Sequence, residues 1–198
     1  MKVIGITGGV GSGKTQLLSY IREHYSCEIY LADEVAHEVK KQGTGCYKKL
    51  VELMGKEILT KDGEIDRKAM AEQIFSSDEL LEKVNQLIHP AVREYLMEKM
   101  AAAKKSDRVQ FFFVEAALLI EAGYKSVVDE MWYIYASDEV RKERLKISRG
   151  YSETKIRRIM DSQMTEKQFR KECDFVIDNS GTLEESYRQI DQKLEEFS

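Results

Sequence analysis

Two kinds of apolar spacing alternate along this chain. Short, largely unbroken apolar runs occupy residues 3–6, 27–32, 109–114, 131–136 and 175–177, and a run without polar alternation suits a strand covered on both faces. Between them, apolar residues recur every three or four positions, as on one face of a helix. Leu17, Leu18 and Ile21 predict a helix from Lys14 to about Tyr25. From Thr44 to about Lys105 the helical spacing is continuous, with Tyr47, Leu50, Val51 and Met54 and then Leu80, Leu81, Val84, Leu87 and Ile88, and nothing there reads as a strand. The Lys61-Asp62-Gly63 turn separates two helices of this block, and Ile88-His89-Pro90 is expected to mark a break, since proline sits well in a helix's first turn. After the fourth run, Ser137-Asp138-Glu139 reads as a helix cap, and a helix and its successor should reach about Arg170. The fifth run leads through Asp178-Asn179-Ser180-Gly181-Thr182 to a last helix ending at Phe197. Strand, turn and helix in repeated alternation predict an α/β fold: a parallel sheet wound by helices, interrupted by an all-helical insertion.

The first strand breaks into glycines. Residues 8–15 match G-x-x-x-x-G-K-[ST], the P-loop. Gly8, Gly11 and Gly13 supply the backbone freedom that lets successive N–H groups face one concavity, and a helix N-terminus adds its dipole, so polyphosphate oxygens bind there. Gly9, Val10, Gly11, Ser12, Gly13, Lys14, Thr15 and Gln16 are therefore the expected ATP-binding stretch. Lys14 would place its cation on the β and γ phosphates, and the Thr15 hydroxyl would ligate the bridging magnesium.

Other candidate chemistry lies at strand ends, where ligands bind in open α/β sheets. Asp33 follows the second run and reads either as a carboxylate facing the γ phosphate or as the N-cap of the next helix. Glu115 ends the third run, at the place where a carboxylate can hold magnesium or its water. Arg67 and His89 are the residues of the helical block with phosphate-binding or hydrogen-bonding capacity, and a solvated helix face is the competing reading for each. Residues 138–170 carry the densest basic stretch, including Arg141, Arg144, Arg149, Arg157 and Arg158. Arginines on a helical flap could close over ATP, or simply pair with Glu139, Glu143 and Glu153.

Composition narrows the picture further. The 198-residue chain is 42% hydrophobic, enough for a buried core, and its net charge of -4 offers no global basic field for a nucleic-acid backbone. No apolar run approaches the ~18 residues of a membrane span, and the N-terminus enters the P-loop strand directly instead of a signal peptide. Cys27, Cys46 and Cys173 stand far apart with no C-x-x-C pairing, as in a reducing compartment. A cytoplasmic protein acting on small molecules, with no nucleic acid or membrane partner, is the expectation.

The chain resembles the dephospho-CoA kinases over nearly its whole length. The residues that carry the resemblance are ITGGVGSGKT at the start, Ala32-Asp33, Asp62-Gly63 with Arg67, Ile88-His89-Pro90, Leu118-Leu119-Ile120-Glu121, Arg144-Leu145, Arg158-Ile159 with Gln163, and the stretch from Asp174 to Gly181. The resemblance implies a nucleotide-binding core of residues 1–33, 106–138 and 172–198, a helical CoA or acceptor domain of residues 34–105, and a lid of residues 139–171. It implies phosphorylation of the ribose 3'-hydroxyl of dephospho-CoA by ATP with magnesium. It implies Asp33 as base, Lys14 and Arg144 as further catalytic residues, Arg144 and Asn179 among those binding ATP, and Arg67, His89 and Leu118 with Asp33 at the acceptor. A monomer or weak homo-oligomer is expected. Leu31, Glu115, Ala117 and the Ser148-Arg149-Gly150 stretch depart from the family's usual residues at those positions. Other small-molecule and nucleoside monophosphate kinases share the P-loop, helical block and lid and are one alternative class, and a weakly active nucleotide-binding relative is the other.

Overall fold

A computed structural model describes residues 1–197. Its centre is a five-stranded sheet of β1 (Lys2–Thr7), β2 (Cys27–Leu31), β3 (Phe111–Glu115), β4 (Glu130–Tyr135) and β5 (Phe175–Asp178), in the order β2-β3-β1-β4-β5. The β1–β3, β1–β4 and β4–β5 pairs are parallel. The unbroken apolar runs have the reason expected of them: Ile4, Phe112, Phe113, Met131 and Trp132, which alternate in direction along their strands, are all fully buried. The register puts Ile6 opposite both Glu115 and Trp132. The carboxyl ends of β1 and β3 therefore meet at one edge.

The helices that follow β1 and β5 pack together. They are α1 (Lys14–His24), which buries Leu17, Leu18 and Ile21, and a C-terminal helix at Leu183–Glu195, which buries Ile190 and Leu194. Tyr20 stacks on Tyr187 with centroids 3.9 Å apart, and the hydroxyls of Tyr20 and Tyr25 both donate to Asp191. Burial and the Asp191 carboxylate push the Tyr20 phenol up to about 12.

Between β2 and β3 run α2 (Ala32–Glu38), α3 (Gly45–Met54), α4 (Arg67–Phe75) and α5 (Asp78–Ser106). Among the described residues, the strand-like feature of this block is an isolated antiparallel bridge, Leu59 to Ile65, across the turn at Gly63. The break expected at Ile88-His89-Pro90 is absent: Pro90 lies inside the 29 residues of α5. Interior proline costs about 3 kcal/mol. Val84, Val92, Leu96 and Met100, on either side of it, are each buried, and at about 1.5–3 kcal/mol per such side chain the apolar stripe outweighs the lost hydrogen bond.

The stretch after β4 also differs from expectation, with three helices where two were predicted: α6 (Asp138–Arg149), α7 (Glu153–Asp161) and α8 (Glu166–Glu172). Ser137 caps α6 as predicted. A capping box of Thr165 and Gln168 starts α8, a signature present in the sequence but obscured by the basic run around it. With these three numbered, the C-terminal helix at Leu183–Glu195 is α9.

The chain forms two compact units, Met1–Ile29 with the chain from Ala103 onward, and Tyr30–Ala102. No described helix is long and apolar enough to cross a membrane.

Candidate active site

β1 ends at Thr7 and the chain turns through six residues into α1. Gly13 occupies the position before that helix with φ +90°, in the left-handed region that glycine enters most cheaply. A Cβ there would also collide with the Asn179 amide, so both backbone and space demand glycine. No side chain caps α1, which leaves N–H donors of its first turn to an anion. Ser12 is buried, and its hydroxyl has no partner among the described residues. Such an orphan costs about 1–3 kcal/mol. A phosphate oxygen held by the loop would relieve it, so the cradle fits the polyphosphate that its sequence announces.

Lys14 folds back over this loop. Its Nζ donates to the Gly8 carbonyl at 2.7 Å and lies 3.6 Å from Glu115 Oε1. Glu115 reaches it through the β1–β3 register, a placement that depends on sheet order and not on local sequence. Thr15 and Gln16 are exposed at the start of α1. Thr15 and Glu115 offer hard oxygens to a divalent cation. Among the described residues no group of three or more His, Cys, Asp or Glu side chains converges, so such a cation would take its remaining ligands from phosphate and water.

Four side chains from the C-terminal half hold the loop from outside. Arg141 Nε donates to the Val10 carbonyl at 3.0 Å and Nη2 to Gln163 Oε1 at 2.6 Å, while the same Gln163 oxygen accepts from the Val10 N–H at 3.2 Å. Arg144 Nη1 donates to the Ser12 carbonyl at 3.3 Å and Nη2 to the Asn179 carbonyl at 2.9 Å. Asn179 Nδ2 donates to the Ser12 carbonyl at 2.7 Å, and its Oδ1 accepts from the buried Ser186 hydroxyl at 2.9 Å. Arg144 and Asn179 thus stand beside the expected nucleotide-binding stretch. Arg141 and Gln163 were not singled out as site residues. The signal for Arg141 was its i, i+3 spacing from Arg144 on a helix that starts at a strand's carboxyl end. Arg149 is exposed at the end of α6, and its guanidinium carbon lies 5.9 Å from the Tyr151 ring centre. Leu118, 60% exposed, lies in the turn after β3.

Asp33, Arg67 and His89 belong to the other unit. Asp33 is exposed in the first turn of α2, whose N-cap is Leu31, so it is not the cap that one reading of the sequence allowed. The physical reason is that β2 runs into α2 without an intervening loop. His37, one turn beyond, has its imidazole held below the ordinary histidine range by lost solvation and by the charges of Arg67 and Lys40, with Asp33 and Glu34 opposing. Burial and Arg67 also lower the Lys40 ammonium. Arg67 therefore lies near both His37 and Lys40, and Asp33 lies near His37. Asp33 and His37 are spaced i, i+4 on α2, which was the available signal for His37, while Lys40 lies past the helix end. His89 lies elsewhere on α5, in a recess with Leu81, Asn85, Gln86 and Pro90.

Residues 2–185 match the family model described as dephospho-CoA kinase. The chain is 37% identical to a dephospho-CoA kinase from Aquifex aeolicus over 198 residues, covering 100% of this chain and 98% of that one. It is 35% identical to one from Streptococcus mutans over 193 residues, covering 98% and 96%. Among solved structures, TT1252 from Thermus thermophilus superposes with a TM-score of 0.80 at 28% identity, covering 100% of this chain and 98% of that one. A shikimate kinase from Acinetobacter baumannii, at 11% identity and a TM-score of 0.55 over 99% and 94% of the two chains, shares the fold alone. A P-loop built at the expected sheet edge, in a chain matched by this family from one end almost to the other, places the protein in the dephospho-CoA kinase family.

Proposed function

We propose that this enzyme transfers the γ-phosphoryl group of ATP to the ribose 3'-hydroxyl of dephospho-CoA, giving CoA and ADP. The observation that carries the reading is the convergence of Lys14, Glu115, Arg144 and Asn179 on one glycine loop, in a chain similar to dephospho-CoA kinases along its length. The bond from the 3'-oxygen to the γ-phosphorus forms as the bond from that phosphorus to the β–γ bridging oxygen breaks. Asp33 accepts the hydroxyl proton, since a neutral alcohol is a poor nucleophile and a carboxylate in reach both orients it and takes the proton. Lys14 supplies positive charge where the β and γ phosphates lie, and the α1 N-terminus holds their oxygens.

A magnesium ion would be held by the Thr15 hydroxyl and Glu115. When bound it neutralises charge between the β and γ phosphates. Arg144 and Asn179 act on the nucleotide by fixing the Ser12 carbonyl, which aims the loop's N–H groups inward. Arg67 and Lys40 supply cations for the acceptor's diphosphate, and His37 adds a third only when it is protonated. His89 and Leu118 are assigned to the acceptor on the resemblance alone. The free cysteines, Cys27, Cys46 and Cys173, fit a reducing compartment, and the cytoplasm is the location proposed.

A coupled assay of ADP release, with product CoA identified by mass, tests the reading. Turnover with dephospho-CoA in preference to shikimate or a nucleoside monophosphate is expected. ATP binding without CoA formation would overturn it.

A further inference from the structure

A trans peptide points its C=O and the next residue's N–H in opposite directions, so a group that holds a loop carbonyl from outside aims the following N–H inward. No peptide bond among the described residues is cis. The Ser12 carbonyl is drawn outward by Arg144 and Asn179, which aims the Gly13 N–H. The Val10 carbonyl is drawn outward by Arg141 Nε, which aims the Gly11 N–H in the same way. Neither the Gly11 nor the Gly13 N–H has a hydrogen-bond partner among the described residues. Val10 is also held on its other side. Its own N–H donates to Gln163 Oε1, and the Gly9 carbonyl of that same peptide accepts from the Ser12 N–H at 3.1 Å. We propose that Arg141 and Gln163 are a pair of positioning residues for phosphoryl transfer, fixing the two peptides of Val10 so that the Gly11 N–H meets a polyphosphate oxygen. The inference rests on the function proposed above.

The two side chains work as one unit. Arg141 Nη2 donates at 2.6 Å to the same Gln163 oxygen that accepts from the Val10 N–H at 3.2 Å. Both partners of that atom are donors, so it is the amide oxygen and not the amide nitrogen. A planar guanidinium can serve Val10 and Gln163 at once through Nε and Nη2, which the single nitrogen of a lysine cannot do in fixed geometry. A Cβ on Gly9 would collide with this guanidinium, and one on Gly11 would lie 3.0 Å from the Arg141 carbonyl, so both glycines let α6 come close. Arg141 belongs to α6 and Gln163 to the link between α7 and α8. Val10 is therefore held on both sides only when those segments lie together. Further along α6, Ser148 donates to the Arg144 carbonyl at 2.6 Å and Arg149 stands by Tyr151, so neither bonds the loop. Arg141 and Arg144 are the arginines that α6 gives it. A donor aimed before the nucleotide arrives needs no reorganisation as charge moves from the β–γ bridge to the acceptor.

A double-mutant cycle tests the pair. Arg141→Met and Gln163→Met keep a long side chain and remove its polar groups. Each should lower kcat/KM for ATP about tenfold or more. The double variant should fall no further than the worse single variant, because either change releases the same peptides. Single variants that match the native enzyme, or effects that multiply in the double variant, would overturn the proposal. The Gly11 amide proton supplies a readout that a merely structural role would not move. In nitrogen-labelled native protein its resonance should shift downfield when a non-hydrolysable ATP analogue binds, and not with adenosine; in each variant the shift should shrink. A native-sized shift in the variants rejects the pair. If the methionine variants do not fold, Gln163→Asn takes their place: it keeps the amide but shortens its reach, and should show the same loss of kcat/KM and of the Gly11 shift, while native behaviour in it rejects the pair. Native protein that shows the Gly11 shift but does not convert dephospho-CoA to CoA refutes the function itself. Native protein that makes CoA while the variants keep its rate and its shift refutes only the positioning role.

Discussion

The nucleotide loop and the helical block between β2 and β3 stand at opposite ends of a scale of prior organisation. Around the loop, the side chains of Lys14, Arg141, Arg144, Gln163 and Asn179 already hold hydrogen bonds to loop atoms. Asp33, Arg67 and His89 are exposed, and among the described residues none of their side chains makes a hydrogen bond. A phosphate cradle works through backbone donors whose direction must be set before the ligand arrives, so the cost of ordering it falls on folding. The charges of the helical block, proposed to meet the acceptor, have no such hydrogen bonds to fix them. The contrast implies that changes near the loop alter chemistry and stability together, while changes in the helical block alter acceptor use and leave stability nearly untouched.

The largest effect should follow from Lys14→Ala. Removing the cation at the loop should lower turnover by about 10²–10³-fold or more, the scale for loss of one preorganised charge stabiliser, with the fold retained by circular dichroism. Undiminished turnover would remove Lys14 from the chemistry. Asp33→Asn comes next, with a fall in kcat of about a hundredfold or more from loss of a general base. Because Leu31 and not Asp33 is the N-cap of α2, its melting temperature should match the parent's, and a large drop in melting temperature would contradict that placement.

Asn179→Ala probes the loop side in the other currency. It strips partners from the Ser12 carbonyl and the buried Ser186 hydroxyl, so chemical denaturation should show a loss of about 1–3 kcal/mol, along with weaker ATP binding. Arg144→Ala should likewise weaken ATP binding and slow turnover, while Arg149→Ala, on an exposed helix end, should do neither; equal effects would show that Arg149 also reaches the nucleotide.

The smallest effect is a pH dependence. His37 has a folded pKa below its ordinary value, through lost solvation first and then Arg67 and Lys40. Its contribution to stability is therefore present above the unfolded pKa, and declines as pH falls from about 6.5 toward the folded pKa, where the unfolded chain takes up the proton first. Binding of a diphosphate beside His37 reverses the shift, so dephospho-CoA should bind severalfold more tightly as pH falls from 8 to 6. His37→Gln should flatten that profile. A profile that keeps its slope in the variant would assign the proton elsewhere.

Local rules made much of this molecule legible. The P-loop can be read because its function resides in the backbone of consecutive residues, where glycine spacing dictates φ and a helix start supplies donors. The buried strands can be read because covering both faces removes polar alternation, and Ser137 as a cap because capping spans three residues. The resemblance named the family from motif order. Other features depend on residues brought together from far apart. The sheet order determines that Glu115 meets Lys14, and the folded loop recruits Arg141, Gln163 and Asn179 across more than 130 positions, with no local period to announce them. Pro90 shows the limit most plainly. Its local preference favours a helix boundary, but the burial of Val84, Val92, Leu96 and Met100 along one face is worth more than the single hydrogen bond it removes. The sequence by itself determined the local chemistry and the strand-helix rhythm, because both depend on neighbours along the chain. Only the tertiary structure decided which carboxylate faces Lys14 and that Arg67 comes near His37 and Lys40, because those are sums of packing energies over residues the chain separates.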